Sequence, residues 1–341
     1  MDTSHRNRGI ARGILVAVPL PEKRLIAQLR RMVGRQHPHK SKGIVKGIGD
    51  DCAVLRLVLG VDTLVTTDFS LEAIHFRREW HEPESVGHRC LVRGLSDIAA
   101  MGGEPVAAFL SIAVPRDLPQ SWVDRFAKGL LSLARKYGVE LAGGDTAESR
   151  EGVLADIIVV GTVPKNKALL RSGARPGDRV FVSGELGGSA AAILRMMKSD
   201  KKVKARDYPR HFYPEPRIEL GRILREKKLT SAMIDTSDGL STDLAHICEE
   251  SSVGAEVNSA LIPRARVGRP AQQVDLELAL HGGEDYELIF TARPGKHIPD
   301  KIAGVPITHI GHIMQGRKLS IRDESGRRSA LKPRGWEHFQ K

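Results

Sequence analysis

The sequence predicts a two-domain protein of the α/β class, of the α+β type, on three observations. At 341 residues it is long enough for two separate cores. Short β-branched or apolar runs alternate with helical spacing in both halves. Composition shifts at Pro164-Lys165-Asn166-Lys167, and each half carries a late Gly-Gly-acid segment, at 143–145 and 282–284. The expected units are a basic extension at 1–20, an N-terminal domain at 21–165 and a C-terminal domain at 166–341.

The N-terminal elements follow in order. Pro21 and Glu22 open a helix with apolar spacing at Leu25, Ile26, Leu29, Met32 and Val33. Residues 35–46, with Pro38 and Gly43, read as a basic loop. Runs 52–59 and 63–67 read as strands joined by a hairpin-like turn at Gly60-Val61-Asp62, the second ending in Thr66-Thr67-Asp68. Helical spacing covers 85–101 (Val86, Cys90, Leu95, Ile98) and 119–137 (Trp122, Phe126, Leu130, Leu133). Strands are expected at 106–114, 139–142 and 154–163, with 139–142 opening onto Gly143-Gly144-Asp145.

In the second half, a strand at 179–183 leads through Gly184-Glu185-Leu186-Gly187-Gly188-Ser189 to a helix at 190–197. A Gly-rich loop at a helix start is a phosphate cradle in principle, although no P-loop pattern occurs. A charged connector at 198–213 and a helix at 216–227 come next. Strand 232–235 then runs into Thr236-Ser237-Asp238-Gly239 and a helix at 240–250. Strands at 255–258, 288–291, 307–313 and 318–322 and a helix at 296–302 complete the chain.

A net charge of +12 favours anionic partners such as nucleotides, phosphates or nucleic acid. Aromatic content of 4% and the lack of any nucleic-acid module argue against the last. Three widely spaced cysteines, Cys52, Cys90 and Cys248, fit a reducing cytoplasm, not a disulfide framework. His88-x-Cys90 and His246-x-Cys248 lack zinc-site pairing and read as ordinary helix residues. No run reaches membrane-spanning length, and no convincing cleavage site follows 14–20, so neither a membrane span nor export is expected.

The chemistry concentrates in recurring small-residue segments that carry acids. Gly47-Ile48-Gly49-Asp50-Asp51 places two carboxylates side by side; they repel unless a cation lies between them. Thr66-Thr67-Asp68, Ser96-Asp97, Gly144-Asp145, Asp235-Thr236-Ser237-Asp238 and Gly283-Glu284-Asp285 repeat the theme. Together they read as one composite site for several divalent cations and phosphates. Each has a plainer reading: Gly and Asp dominate ordinary turns, and Asp238 alone is a natural N-cap, although an N-cap leaves Asp235 unexplained. Trp336 either caps a core or stacks on a ligand ring.

These segments resemble thiamine-monophosphate kinase, within the superfamily of aminoimidazole-ribonucleotide synthetase and selenophosphate synthetase. The collinear matches are GIGDDCAV (47–54), TTDFSLEAIHF (66–76), LSDIAAMGGEP (95–105), LAGGDT (141–146), LLRSGARPGD (169–178), IDTSDGLSTDLAHI (234–247) and GGEDYEL (282–288). The resemblance implies N-terminal sheets that pair across a homodimer into a barrel. It implies magnesium-dependent, in-line transfer of the ATP γ-phosphoryl group to thiamine monophosphate, giving thiamine diphosphate. Asp51, Thr66, Thr67, Asp68, Asp97, Asp145, Asp235 and Asp238 then look like magnesium ligands. Tyr137, Gly144, Asp145, Arg171 and Ser237 look like ATP contacts, and His75, Glu284 and Trp336 like substrate contacts. No general base is implied, since the acceptor phosphate is already ionised. Gly94, where the family usually has Asn, and Phe69-Ser70 depart from the pattern, and 1–20 is unmatched. A sister synthetase and a basic nucleic-acid binder are the competing readings.

Overall fold

The computed structural model describes residues 28, 31–33, 44–46, 54–55, 59–198 and 203–335. The expectations for the extension 1–20, for Asp51 and its glycine turn, and for Trp336 lie outside the described residues. Residues 28 and 31–33 are helical, as the spacing predicts.

Strand β1 (Ile44–Lys46) pairs antiparallel with β2 (Val54–Leu55), so the basic 35–46 segment ends in a strand. β3 (Val61–Leu71), α1 (Pro83–Ala100), β4 (Glu104–Pro115), α2 (Gln120–Lys136), β5 (Glu140–Ser149) and β6 (Leu154–Pro164) follow. They build a four-stranded sheet in the order β3-β6-β4-β5, with only β4–β5 parallel. The expected hairpin across 60–62 does not form. β3 spends its whole length on β6 instead, a ladder of eleven residues that no two-residue strand could match. Two more expectations are corrected by this ladder length. Thr66-Thr67-Asp68 lies inside β3, not at its end, and Gly143-Gly144-Asp145 continues β5, not a turn.

Helices α1 and α2 cover one face of this sheet, burying Cys90, Leu91, Leu95, Ile98, Phe126 and Leu130. They meet backbone to backbone. A Cβ at Gly87 would stand 2.0 Å from the Phe126 carbonyl oxygen, and one at Gly129 would stand 1.9 Å from that of Glu84. Gly94 faces β6 as closely, 2.5 Å from Val159 Cγ2 for an added Cβ. The other face of the sheet is open only in part: Val65 and Phe69 are 67% and 54% exposed on it, while Ala107, Ala142 and Val160 form a small buried cluster. Register places Val160 and Ala107 beside Val65, and Ile158 and Phe109 beside Thr67.

The second half contains β7 (Arg179–Ser183), α3 (Gly188–Lys198), α4 (Pro209–Phe212), α5 (Ile218–Glu226), β8 (Ala232–Asp235), α6 (Leu240–Ser251) and β9 (Gly254–Asn258). β10 (Arg266–Val267), β11 (Gln272–Gln273), α7 (Leu276–His281), β12 (Leu288–Ala292), β13 (Lys301–Ile302), β14 (Val305–Met314), β15 (Leu319–Arg322) and β16 (Arg328–Ala330) complete it. The main sheet runs β16-β15-β9-β14-β7-β12-β8, with β13 on β14. The helix expected at 296–302 is absent. Pro299 removes a helical donor, and left-handed Ala303 (φ 49°) and Gly304 (φ 77°) turn Lys301–Ile302 back onto Val305–Pro306.

One apolar core runs from the four-stranded sheet through α1 and α5 to Phe181, Met233, Leu288 and Phe290 of the larger sheet. A second core, with Leu244, Ile247, Val257 and Ile310, lies under α6 and α7. Helix α1 is therefore wedged between the two sheets, and its polar positions face the seam.

Candidate active site

The seam is held by α1. Arg89, Arg93 and Asp97 recur every fourth residue, so they share one helix face. Arg89 donates to Glu284 Oε2 at 2.6 Å and Arg93 to Glu284 Oε1 at 2.5 Å, joining the halves through a largely buried carboxylate. The two guanidinium groups hold Glu284 ionised, at about 2, against the opposing effect of burial. One turn further along, Ser96 Oγ donates to Asp235 Oδ2 at 2.6 Å.

Carboxylates crowd beside these bonds. Asp68 projects from β3 toward α1 and shares a hydrogen bond with Asp97, which also accepts from the Thr66 hydroxyl. Burial, and then the Asp97 charge, push Asp68 up to about 7. Burial and the same neighbours push Asp235 up to about 7, and burial raises Asp97. The Asp97 charge makes both Asp68 and Asp235 harder to ionise, an arrangement that a bound cation relieves. Among the described residues, no three His, Cys, Asp or Glu side chains form a ready-made cation cage.

The glycine-rich loops behave differently from expectation. The Gly184–Ser189 loop is no phosphate cradle here: Gly187 and Ser189 N–H groups donate to Asp285, at 2.6 and 3.2 Å. The chain's own carboxylate thus takes the anion position at the start of α3. At α6 the N-cap is Gly239, and Asp243 reaches back to the N–H groups of Asp238 and Gly239, at 3.2 and 2.8 Å. Asp238 is therefore not the cap, and its side chain faces a cavity. Opposite it, Glu284 and Tyr286 take left-handed conformations (φ 64° and 52°), held by backbone bonds from their N–H groups to the carbonyls of Ser237 and Thr236. Non-glycine residues in that region mark stored strain, which concentrates at functional sites.

Two cavities open at the seam. The larger, about 680 Å³, has Phe69, Ile74, Ala190 and Ile193 as its apolar lining. Its polar lining is Thr67, Asp68, His75, Arg93, Ser237, Asp238 and Glu284. The smaller, about 240 Å³, holds Thr66, Asp97, Arg171 and Asp235. The Asp68–Asp97 bond links the two sets. His75 Nδ1 accepts from the Leu71 N–H at 3.0 Å, which leaves Nε2 as the protonated nitrogen of the neutral ring.

Three expected residues stand elsewhere in the chain. Gly144 and Asp145 lie on β5, three strands from β3 and so about 14 Å away; Gly144 falls in the cross-sheet row of Asp68, and Asp145 in a row on the other face. There Asp145 shares a cross-sheet row with Ser111, Asp156 and Phe69. Tyr137 ends α2 and donates its hydroxyl to Glu215 at 2.8 Å, lining neither cavity. Alternation along β3 also separates Thr67, bonded to Asp156 at 2.7 Å on the open face, from Thr66 and Asp68. Sequence reasoning missed Arg89 and Arg93, although the fourfold spacing with Asp97 was a usable signal.

Comparison with known proteins agrees with this architecture. Residues 49–163 match the AIR synthase related protein N-terminal domain, and residues 175–324 match its C-terminal domain. The chain is 34% identical over 304 residues to the thiamine-monophosphate kinase of Bacillus subtilis, covering 86% of this chain and 93% of that one. The crystal structure of thiamine-monophosphate kinase from Stenotrophomonas maltophilia superposes with a TM-score of 0.77 at 31% identity, over 86% and 95% of the two chains. AaThiL, solved in complex with AMPPCP and TMP, gives 0.73 at 31% identity, over 94% and 99%. With both domains matched and this identity held over nearly the full length of its relatives, the chain belongs to the AIR synthase related proteins and, among them, to the thiamine-monophosphate kinases.

Proposed function

We propose that this chain transfers the γ-phosphoryl group of ATP directly to the phosphate of thiamine monophosphate, giving thiamine diphosphate and ADP. Family membership supports the reaction, and AaThiL binds an ATP analogue and TMP together. The observation that carries it here is the seam cavity, whose lining brings Asp68, Asp238 and Ser237 together with Arg93 and Glu284. Its apolar lining, with Phe69, Ile74 and Ile193, suits flat rings.

Both reactants are anions, so positioning and charge neutralisation carry the rate. The mutually repelling Asp68, Asp97 and Asp235 fit magnesium, with Thr66, Thr67, Asp238, Asp145 and Asp51 as further ligands in this reading. Magnesium bound there would neutralise phosphate charge and orient the oxygens. Ser237 and Arg171 would hold ATP, and His75 and Trp336 the acceptor. No side chain needs to take a proton from an ionised acceptor phosphate, so neither a general base nor a covalent intermediate is required.

The open apolar face around Val65, Ile158 and Phe109 supports a homodimer in which two four-stranded sheets close into a barrel. In that reading, Gly144 and Asp145 serve ATP near the interface. The functional units are 21–165 and 166–341, with 1–20 as an appendage. Among the described residues no helix is long and apolar enough to cross a membrane, and Cys90 and Cys248 are buried free thiols, in keeping with a reducing compartment. Purified protein incubated with ATP, magnesium and thiamine monophosphate should form thiamine diphosphate and ADP in equal amounts, read by chromatography. Absence of thiamine diphosphate would reject the reading.

A further inference from the structure

We propose that Arg93 is the phosphate receptor for the acceptor substrate, presented by Glu284 and Arg89. The inference rests on the kinase reading above. Among the described residues, Arg93 is the only lysine or arginine lining the 680 Å³ cavity. Its Nη2 is fixed on Glu284 Oε1 at 2.5 Å, and its side chain is 12% exposed. That bond uses one donor of the planar guanidinium fork, and Arg93 itself borders the cavity.

At the guanidinium pair itself the charge balance favours an anion, whereas Asp68 and Asp238 in the same lining need the proposed magnesium before a phosphate approaches. One carboxylate, Glu284, is bound by two guanidinium groups, so the Arg89–Glu284–Arg93 triad carries a net positive charge. Arg89 does not line the cavity; it is pinned behind Glu284 by a further bond to the His211 carbonyl. Arg89 therefore supports and Arg93 presents. With Phe69, Ile74, Ala190 and Ile193 also in its lining, the cavity suits a molecule with an aromatic body and a terminal phosphate that Arg93 would receive. A guanidinium fork gives a phosphate two parallel charge-assisted bonds, and a lysine would not reproduce that geometry.

Binding of thiamine monophosphate and of thiamine, measured by calorimetry with magnesium and without ATP, separates the roles. Wild type should prefer the phosphorylated ligand. In Arg93→Gln, affinity for thiamine monophosphate should fall ten- to hundredfold while thiamine affinity changes less than about threefold. Arg89→Gln acts only through Glu284, so it should weaken both ligands by the same factor. Arg93→Lys, which keeps the charge and protects the fold if the Gln variant does not fold, should show a smaller loss confined to the phosphorylated ligand. Equal loss of both ligands in the Arg93 variants, or no preference in wild type, overturns the inference while leaving the kinase reading intact. Wild type that makes no thiamine diphosphate from ATP overturns the kinase reading instead.

Discussion

Asp68 and Asp97, one on a strand and one on a helix, are close enough to share a proton, and burial raises both above the ordinary carboxylate range. Such a pair opposes folding unless something positive joins it. Asp68→Asn should therefore leave the melting temperature unchanged or raise it by about 1–3 °C in metal-free buffer. The same variant should lose about a hundredfold or more in turnover. Thermal melts beside steady-state kinetics test both, and a destabilised but active variant contradicts the assignment. A different residue pair governs the response to acid. His81 Nε2 and His211 Nε2 lie 2.8 Å apart in the core, with Arg89 beside them and Ser189 Oγ 2.9 Å from His211 Nδ1. Burial, then Arg89, lowers His81 to about 4 and holds His211 well below its ordinary value of 6.5, against the weaker pull of Glu284. The unfolded chain binds these protons first. Stability is therefore full above pH 6.5 and is lost as pH falls toward 4, the folded value for His81. In denaturant titrations across that window, replacing both with Gln should lower the slope of stability against pH by up to about two protons.

At the scale of elements, helix α1 sets the geometry, and glycine sets how near its neighbours come. Propensity alone predicts that Gly129→Ala in α2 gains about 1 kcal/mol. Contact with the Glu84 carbonyl, 1.9 Å from the new Cβ, reverses the sign. The expected net loss is about 1–3 kcal/mol by urea unfolding. Gly94 illustrates the same reversal. Propensity alone counts a mid-helix glycine there as a loss, yet an added Cβ would stand 2.5 Å from Val159 Cγ2, so any side chain has to displace Val159. The strand β3 shows the limit of local reading from the other side. Its run of Thr66, Thr67 and Asp68 is compact in sequence, but the pleat sends Thr67 to the open face and its two neighbours toward α1.

For the whole molecule, the open sheet face is the main unsettled surface. If it closes a dimer, Ile158→Asp should shift the protein from dimer to monomer in sedimentation or light scattering, and turnover should fall with it. Asp145, about 14 Å from the seam within one chain, then has a specific meaning. Asp68→Asn and Asp145→Asn should each be inactive alone. If Asp145 serves the partner's site, dissociating and mixing equal amounts should restore about a quarter of wild-type turnover, because half the dimers carry one intact site. No recovery on mixing would place Asp145 in the same site as Asp68.

The sequence by itself determined a good deal: the two-half α+β organisation, most helices, and the acid-bearing segments of which Asp68, Asp97 and Asp235 come together. It did so because helix periodicity and clustered carboxylates are local signals that survive without a partner. Where a local signal was weak, the sequence misled. A helix was expected over Pro299, a hairpin at 60–62, and a phosphate cradle at 184–189, where Asp285 already supplies the anion. Only the tertiary structure decided that α1 is wedged between two sheets, and that Arg93 meets Glu284 across 191 residues. It likewise decided that Asp68, Asp97 and Asp235 converge while Asp145 does not. Those outcomes depend on strand register and on which sheet face is covered, and both are fixed by long-range packing that no window of sequence contains.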